Sequence, residues 1–293
     1  MHNIKNNKIE LKESISLVVG NMIGAGIFML PVSLSKYGSI SIYGWIISGI
    51  MAFILAAIFK KLSKKYPGES GPFHYTEKSF GKFIGFFVIW GYWISILLVN
   101  ASLAIAVTSY STIFIKSLND PGLSLPFAVF IIILIGIINA LGIKIVGQFQ
   151  FITTIIKIIP LLATIIIGFF VFNQSNFTPI NISQETNFKA LTITTALTFF
   201  AFLGIESATI PADRIKNPKS TIPKATMIGT SITFLIYLLS SIAIIGIMNP
   251  NEIASSNAPF ADAIGFVIGE SARSIIAIFA IIAGIGCLNG WTL

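Results

Sequence analysis

Charge is what this sequence has least of. Thirty of its 293 residues are Asp, Glu, Lys or Arg, 10% of the chain, against about 25% in an ordinary soluble domain. So little charge cannot clothe a soluble fold in polar surface, and the apolar content excludes intrinsic disorder. A single cysteine excludes a disulfide framework. Two histidines, with no HExxH, CxxC, Walker lysine or paired carboxylates, leave metal-dependent and nucleophilic catalysis without a centre. Gly24 and Gly26 lack the third glycine and the preceding strand of a dinucleotide fingerprint. Carboxylates are scarcer than bases, 11 against 19, for a net charge of +8. In a soluble protein that excess would point to nucleic acid.

What the chain has instead is apolar length. It is 55% apolar with a mean hydropathy of +0.88. Apolar stretches fall at about 14–36, 42–59, 83–115, 126–143, 151–172, 190–210, 225–248 and 272–293. A membrane-crossing helix needs about 20 such residues, and a barrel strand would instead show alternating segments of about 10. Eight helical spans are therefore expected. The first stretch is too long for a secretory signal, so it reads as a retained span behind a polar tail, residues 1–13.

Basic residues give the spans a direction. Those in the N-terminal tail and in the connections after spans two, four and six number 14, and those in the other connections number 4 (Lys36, Lys116, Lys189 and Arg273). The positive-inside rule then places the N-terminus in the cytoplasm. Topology explains the basic excess, and no nucleic-acid partner is needed. The sequence stops at Gly290-Trp291-Thr292-Leu293 inside an apolar run, which reads as a truncation.

Spans one and six share a break. Gly20-Asn21-Met22-Ile23-Gly24-Ala25-Gly26-Ile27-Phe28-Met29-Leu30-Pro31 and Phe200-Ala201-Phe202-Leu203-Gly204-Ile205-Glu206-Ser207-Ala208-Thr209-Ile210-Pro211 each carry a glycine followed seven residues later by a proline. Glycine and proline cost about 1 and 3 kcal/mol in a helix interior. Two such breaks five spans apart are what an inverted repeat of five helices predicts, with the discontinuous helices meeting at a midplane substrate site. The repeats would be residues 14–172 and an incomplete 190–293. Freed N–H groups at the Ile27–Pro31 half-helix suit a carboxylate. Carbonyls before that break, or in Ala201–Gly204, suit an ammonium. Together they would grip an amino acid by its backbone ends. The alternative is that Gly20, Gly24 and Gly26 only let helices pack closely.

Two ionisable residues fall well inside spans, where a charge costs about 2.5–3.5 kcal/mol on insertion scales. Glu206 lies in the second break and either exchanges protons or bonds freed backbone groups. Lys157 either snorkels to the cytoplasmic surface or points at carbonyls freed in span one. Tyr92, Trp93, Asn100, Phe200, Phe202 and Trp291 are aromatic or amide groups within spans, each weak as a signal alone.

The Gly20–Pro31 run, Phe202-Leu203-Gly204-Ile205-Glu206-Ser207, Lys216-Asn217-Pro218-Lys219 and the final Gly290-Trp291-Thr292-Leu293 together resemble the amino acid–polyamine–organocation permeases. Within them the chain is most similar to the bacterial basic amino acid/polyamine antiporters, which include arginine/agmatine and putrescine/ornithine exchangers. The resemblance runs over essentially the whole chain. It implies an all-α membrane protein with twelve spans, ten of them in the two inverted repeats. It also implies a sodium-independent secondary transporter of amino acids or polyamines in the bacterial inner membrane, working by alternating access through exchange or proton coupling.

By resemblance, backbone around Asn21, Met22, Ile23, Gly24, Ala25 and Gly26 and around Phe202, Leu203 and Ile205 holds the substrate's carboxylate and amino group. Phe200 and Asn100 belong to the pocket, and Trp291 closes it from the inner side. Tyr92 and Glu206 serve gating and coupling, and Lys157 takes the place of a sodium ion. The arginine/agmatine exchanger has serine where Ala25 lies, tryptophan where Phe200 lies and no lysine matching Lys157, which favours a neutral amino acid over arginine. The expected partners are an amino acid or amine, protons, the lipid bilayer and a second copy in a homodimer, with no cofactor and no metal. Competing readings are a fragment or split-gene subunit of such a permease, a channel, and an integral-membrane enzyme.

Overall fold

The computed structural model describes residues 8–67, 71–140 and 143–292, with the side chains of Ala25 and of 143–151 outside the description. The fold is all-helical. The first apolar stretch forms two helices, α1 (Leu11–Met22) and α2 (Ala25–Ser35), followed by α3 (Ile40–Lys65), a short α4 (Gly71–Phe80) and α5 (Lys82–Ser111). Then come α6 (Pro121–Ala140), α7 (Ile143–Phe170), α8 (Asn187–Phe200), α9 (Pro218–Ile247), α10 (Pro250–Ala254), α11 (Pro259–Ile268) and α12 (Glu270–Thr292). Eight stretches are long and apolar enough to cross a membrane. Among the described residues the only β-type pairing is an isolated bridge between Ile9 and Ile215.

The spans sit where hydropathy puts them, and the differences have local causes. α9 starts seven residues before the apolar stretch because Pro218 opens the helix at its first position, where the missing N–H costs nothing. α4 and α11 escape a search by apolar length, one being polar and the other only 10 residues long. In the sixth span α8 stops at Phe200, and the chain continues as turns and a 3₁₀ segment, Ile205–Thr209. The sixth span therefore has no second α-helical half.

Large apolar side chains are exposed along α3, α5, α6 and α7, among them Ile50, Phe86, Phe130 and Phe169. Exposed apolar surface on so many helices is the signature of a lipid-facing perimeter. The buried core gathers around α1, α2, α9 and the 3₁₀ segment, with Phe28, Trp45, Tyr237 and Phe260 among its largest members. A second cluster joins α5, α6 and α12 through Leu103, Ile135 and Trp291. The two meet at the helix breaks.

Candidate functional site

The first break begins where α1 runs out of helical partners. A helix end leaves its last four carbonyls without intrahelical donors, and here each has one. Val19 O accepts from Ile23 N at 2.8 Å, and Met22 O accepts from Gly24 N at 2.9 Å and from the Tyr237 hydroxyl. Gly20 O accepts from Lys157 Nζ at 2.5 Å. Asn21 O accepts from Trp291 Nε1 at 3.3 Å, with Cys287 Sγ at 3.7 Å. In a bilayer, irregular backbone persists only when its polar groups are met this way. Ile23 turns the chain out of the helix (φ −75, ψ 86), and Gly24, extended, caps α2. Pro31 is accommodated inside α2, so the interruption comes from Ile23 and Gly24 and not from the proline.

The second break presses against the first. Gly204 has a positive φ of 107°, and a Cβ there would lie 3.0 Å from the Asn21 carbonyl carbon and 3.1 Å from Met22 N. Only glycine fits, for conformation and for space. Asn21 Nδ2 donates to Ser207 Oγ at 2.9 Å, and the Tyr237 hydroxyl reaches Ala201 O at 3.3 Å. Tyr237 thus bonds carbonyls of both breaks.

Between the breaks lies a small recess of about 30 Å³, room for a water molecule or two. Of the residues expected at the site, Asn21, Met22, Gly24, Gly26, Phe200, Leu203 and Trp291 line it. Tyr92 stands behind Trp291, ring centroids 6.4 Å apart, and donates to Glu206 Oε1 at 2.9 Å. The other Glu206 oxygen accepts from Gly204 N at 3.3 Å. Lys157, fully buried, reaches Gly20 and not the membrane surface, and among the described residues it has no carboxylate partner.

Other expected residues lie elsewhere. Ile23 and Ile205 are buried in the core, and Phe202 packs edge-on to Trp45 and Tyr237. Asn100 follows the cavity-lining Val99 but is not itself in the wall, and its Oδ1 is buried with no hydrogen-bond partner among the described residues. The side chain of Ala25 lies outside the described residues. The α1 carbonyls expected to receive an ammonium, and those of Ala201 and Gly204, are already occupied by protein donors.

Tyr237, Cys287, Ser207, Val99, Ser102 and Leu103 are at the site without having been expected there. Tyr237 carried the one usable signal, since a hydroxyl in mid-span must find a buried partner.

The sequence model of a family described as amino acid permease matches residues 9–293. The chain belongs to the amino acid permease family. It is 32% identical over 290 residues to the cadaverine/lysine antiporter of Escherichia coli (strain K12), covering 98% of this chain and 64% of that protein. It is 32% identical over 291 residues to the putrescine transporter PotE of Haemophilus influenzae, 98% of this chain and 66% of that protein. PotE of Escherichia coli (strain K12) is likewise 32% identical, over 298 residues, at 99% and 66%. The chain thus spans just under two thirds of the length of these relatives. As a family member with eight apolar spans it is a multi-pass membrane protein.

Proposed function

We propose that this permease-family chain carries the substrate site of a secondary transporter, moving amino acids or related amines across a bacterial inner membrane. Its N-terminus faces the cytoplasm, transport is sodium-independent, and substrates move by alternating access around the two breaks, residues 14–172 and 190–293 forming a first repeat and part of a second. The observation that carries this reading is the contact between the breaks: Gly204 is seated against Asn21 and Met22, beside a cavity lined by residues of both. Discontinuous helices meeting this way are the hallmark of a midplane transport site.

The chemistry follows from the free ends. The first-turn N–H groups of α2 have no intrahelical acceptor, and the helix dipole adds positive potential, which suits a carboxylate. Asn21 O, held by Trp291 Nε1 at 3.3 Å, suits an ammonium once the indole swings away. Substrate entry and Trp291 movement are then one event. Among the described residues no acidic side chain lines the cavity, which favours amino acids over diamines, and neutral ones over arginine. Glu206, reached through Tyr92, links cavity opening to a proton.

Reconstituting the full chain in proteoliposomes tests this. Labelled lysine, ornithine, arginine, putrescine, cadaverine and neutral amino acids are offered with and without internal counter-substrate and a pH gradient. At least one should accumulate, and Glu206→Gln should remove the response to pH. Failure to carry any of them under every gradient overturns the reading, and pH-responsive uptake in Glu206→Gln overturns the role of Glu206.

A further inference from the structure

Four lysines at the lysine-rich end of the bundle take no part in the site above. Lys60 and Lys64 lie one turn apart near the end of α3, and Lys219 and Lys224 lie in the first turns of α9. With Ser220 they ring a recess of about 560 Å³ floored by Pro223, Met227 and Ile228. Among the described residues no ion pair involves any of the four. Gathered ammonium groups without a carboxylate repel one another, and topology does not demand it: a positive-inside bias is satisfied by lysines scattered around the rim. The N-terminus of α9, with Pro218 at its first position, adds its own positive potential.

The recess continues into lipid-facing surface. On α3 the exposed Ile50 and Ile46 share the face of Lys64 and Lys60 at helical spacing, and on α9 the exposed Ile232, Leu235 and Leu239 continue the face of Ile228. Phe53 and Phe234 pack edge-on where the two helices touch, ring centroids 5.7 Å apart. A charged hollow thus stands at the head of two apolar stripes.

We propose that this recess binds the phosphodiester headgroup of an anionic glycerophospholipid, with its acyl chains laid along the two stripes. The ammonium groups and the Ser220 hydroxyl supply donors for phosphate oxygens, the apolar floor receives the glycerol and ester region, and the stripes receive the tails. A free phosphate ion would use the lysines and leave floor and stripes idle. The inference rests on the chain spanning a bilayer and not on what it transports, so a failed transport assay leaves it standing.

The test uses the full chain in micelles of an uncharged detergent, titrated with phosphatidylglycerol, phosphatidylcholine, or inorganic phosphate. Bound lipid is counted by native mass spectrometry, and the thermal midpoint is followed in parallel. Phosphatidylglycerol should bind saturably and raise the midpoint, and the other two should not. A surface lysine contributes about fivefold in anionic-lipid affinity. The pairs Lys60→Gln/Lys64→Gln and Lys219→Gln/Lys224→Gln should therefore each weaken binding by about 25-fold. The matching arginine pairs and Lys116→Gln, at the other end, should retain it. Single glutamine variants, at about fivefold each, serve if a pair does not fold. Equal binding of the two lipids, a full midpoint shift with phosphate alone, or glutamine variants that keep wild-type affinity would each overturn the proposal.

Discussion

Gly24 and Gly26 are two residues apart, and their missing side chains serve different ends. Gly24 is extended, a conformation open to any residue, but a Cβ there would lie 2.4 Å from Cys287 Sγ and 3.3 Å from Leu103. At Gly26 a Cβ would meet nothing within 4 Å, and the residue faces the cavity. Gly24 is thus a packing glycine, and Gly26 preserves space. Gly24→Ala should cost about 1–3 kcal/mol, the usual range for overpacking. Cys287→Ala on the same chain should return most of that loss, because it removes the sulfur the new methyl meets. Thermal midpoints of the two single variants and the double form the cycle that checks this. Equal costs for Gly24→Ala with and without Cys287 would show that the clash lies elsewhere. Gly26→Ala in the same measurement should fold as wild type does.

The two interrupted spans are also tied together at the lysine-rich end, by a backbone strap. Ile9 N donates to Arg214 O at 2.9 Å and Lys216 N donates to Ile9 O at 3.0 Å, joining the segment before α1 to the segment after the second break. Lys216 Nζ adds an ion pair with Glu10 at 2.8 Å. That pair holds the Glu10 carboxyl below its ordinary 4.5 and the Lys216 ammonium above its ordinary 10.5, hydrogen bond first and charge second. Its contribution is full above pH 4.5 and below pH 10.5, fades as pH falls through the lowered Glu10 value, and fades again as pH rises through the raised Lys216 value. Both partners are exposed, so the effect is small. Glu10→Gln should lower the thermal midpoint slightly at neutral pH, and the difference should vanish once the pH has fallen below the lowered Glu10 value; a difference that persists in acid would assign the effect to Glu10 as the N-cap of α1 instead. Sequence made the spans and both breaks legible, because hydropathy and misplaced glycines are local signals. It did not show that Pro31 is accommodated or that the second break continues as a 3₁₀ segment, since both depend on neighbours. Nor could it foresee the strap, Tyr237 or Cys287, which matter only through contacts made across the bundle.

Across the whole molecule, aromatic groups stand on both sides of the breaks. Toward the lysine-poor end Phe28 packs edge-on to Tyr110 and Phe260, at 6.0 and 5.5 Å, and the Tyr110 hydroxyl donates to Phe28 O at 3.0 Å. Toward the lysine-rich end stand Trp291, Tyr92 and Glu206. With about 30 Å³ between the breaks, the recess is too small for an amino acid, and admitting one would require one side to part. The chain's single cysteine reports on that opening. Cys287 lines the cavity, is 1% exposed and lies beside the Trp291 contact at Asn21 O. Minor states of a two-state protein are populated at roughly 0.1–10%. A maleimide should therefore label Cys287 about 10- to 1,000-fold more slowly in the folded protein than in denaturant. Trp291→Ala, which removes both the indole donor and its ring contact with Tyr92, should speed labelling without unfolding the chain. A carried substrate should change the rate, and an amine that is not carried should leave it alone. Labelling of the folded chain at the denatured rate would show an open cavity, and an unchanged rate in Trp291→Ala would move the gate to the Phe28 side.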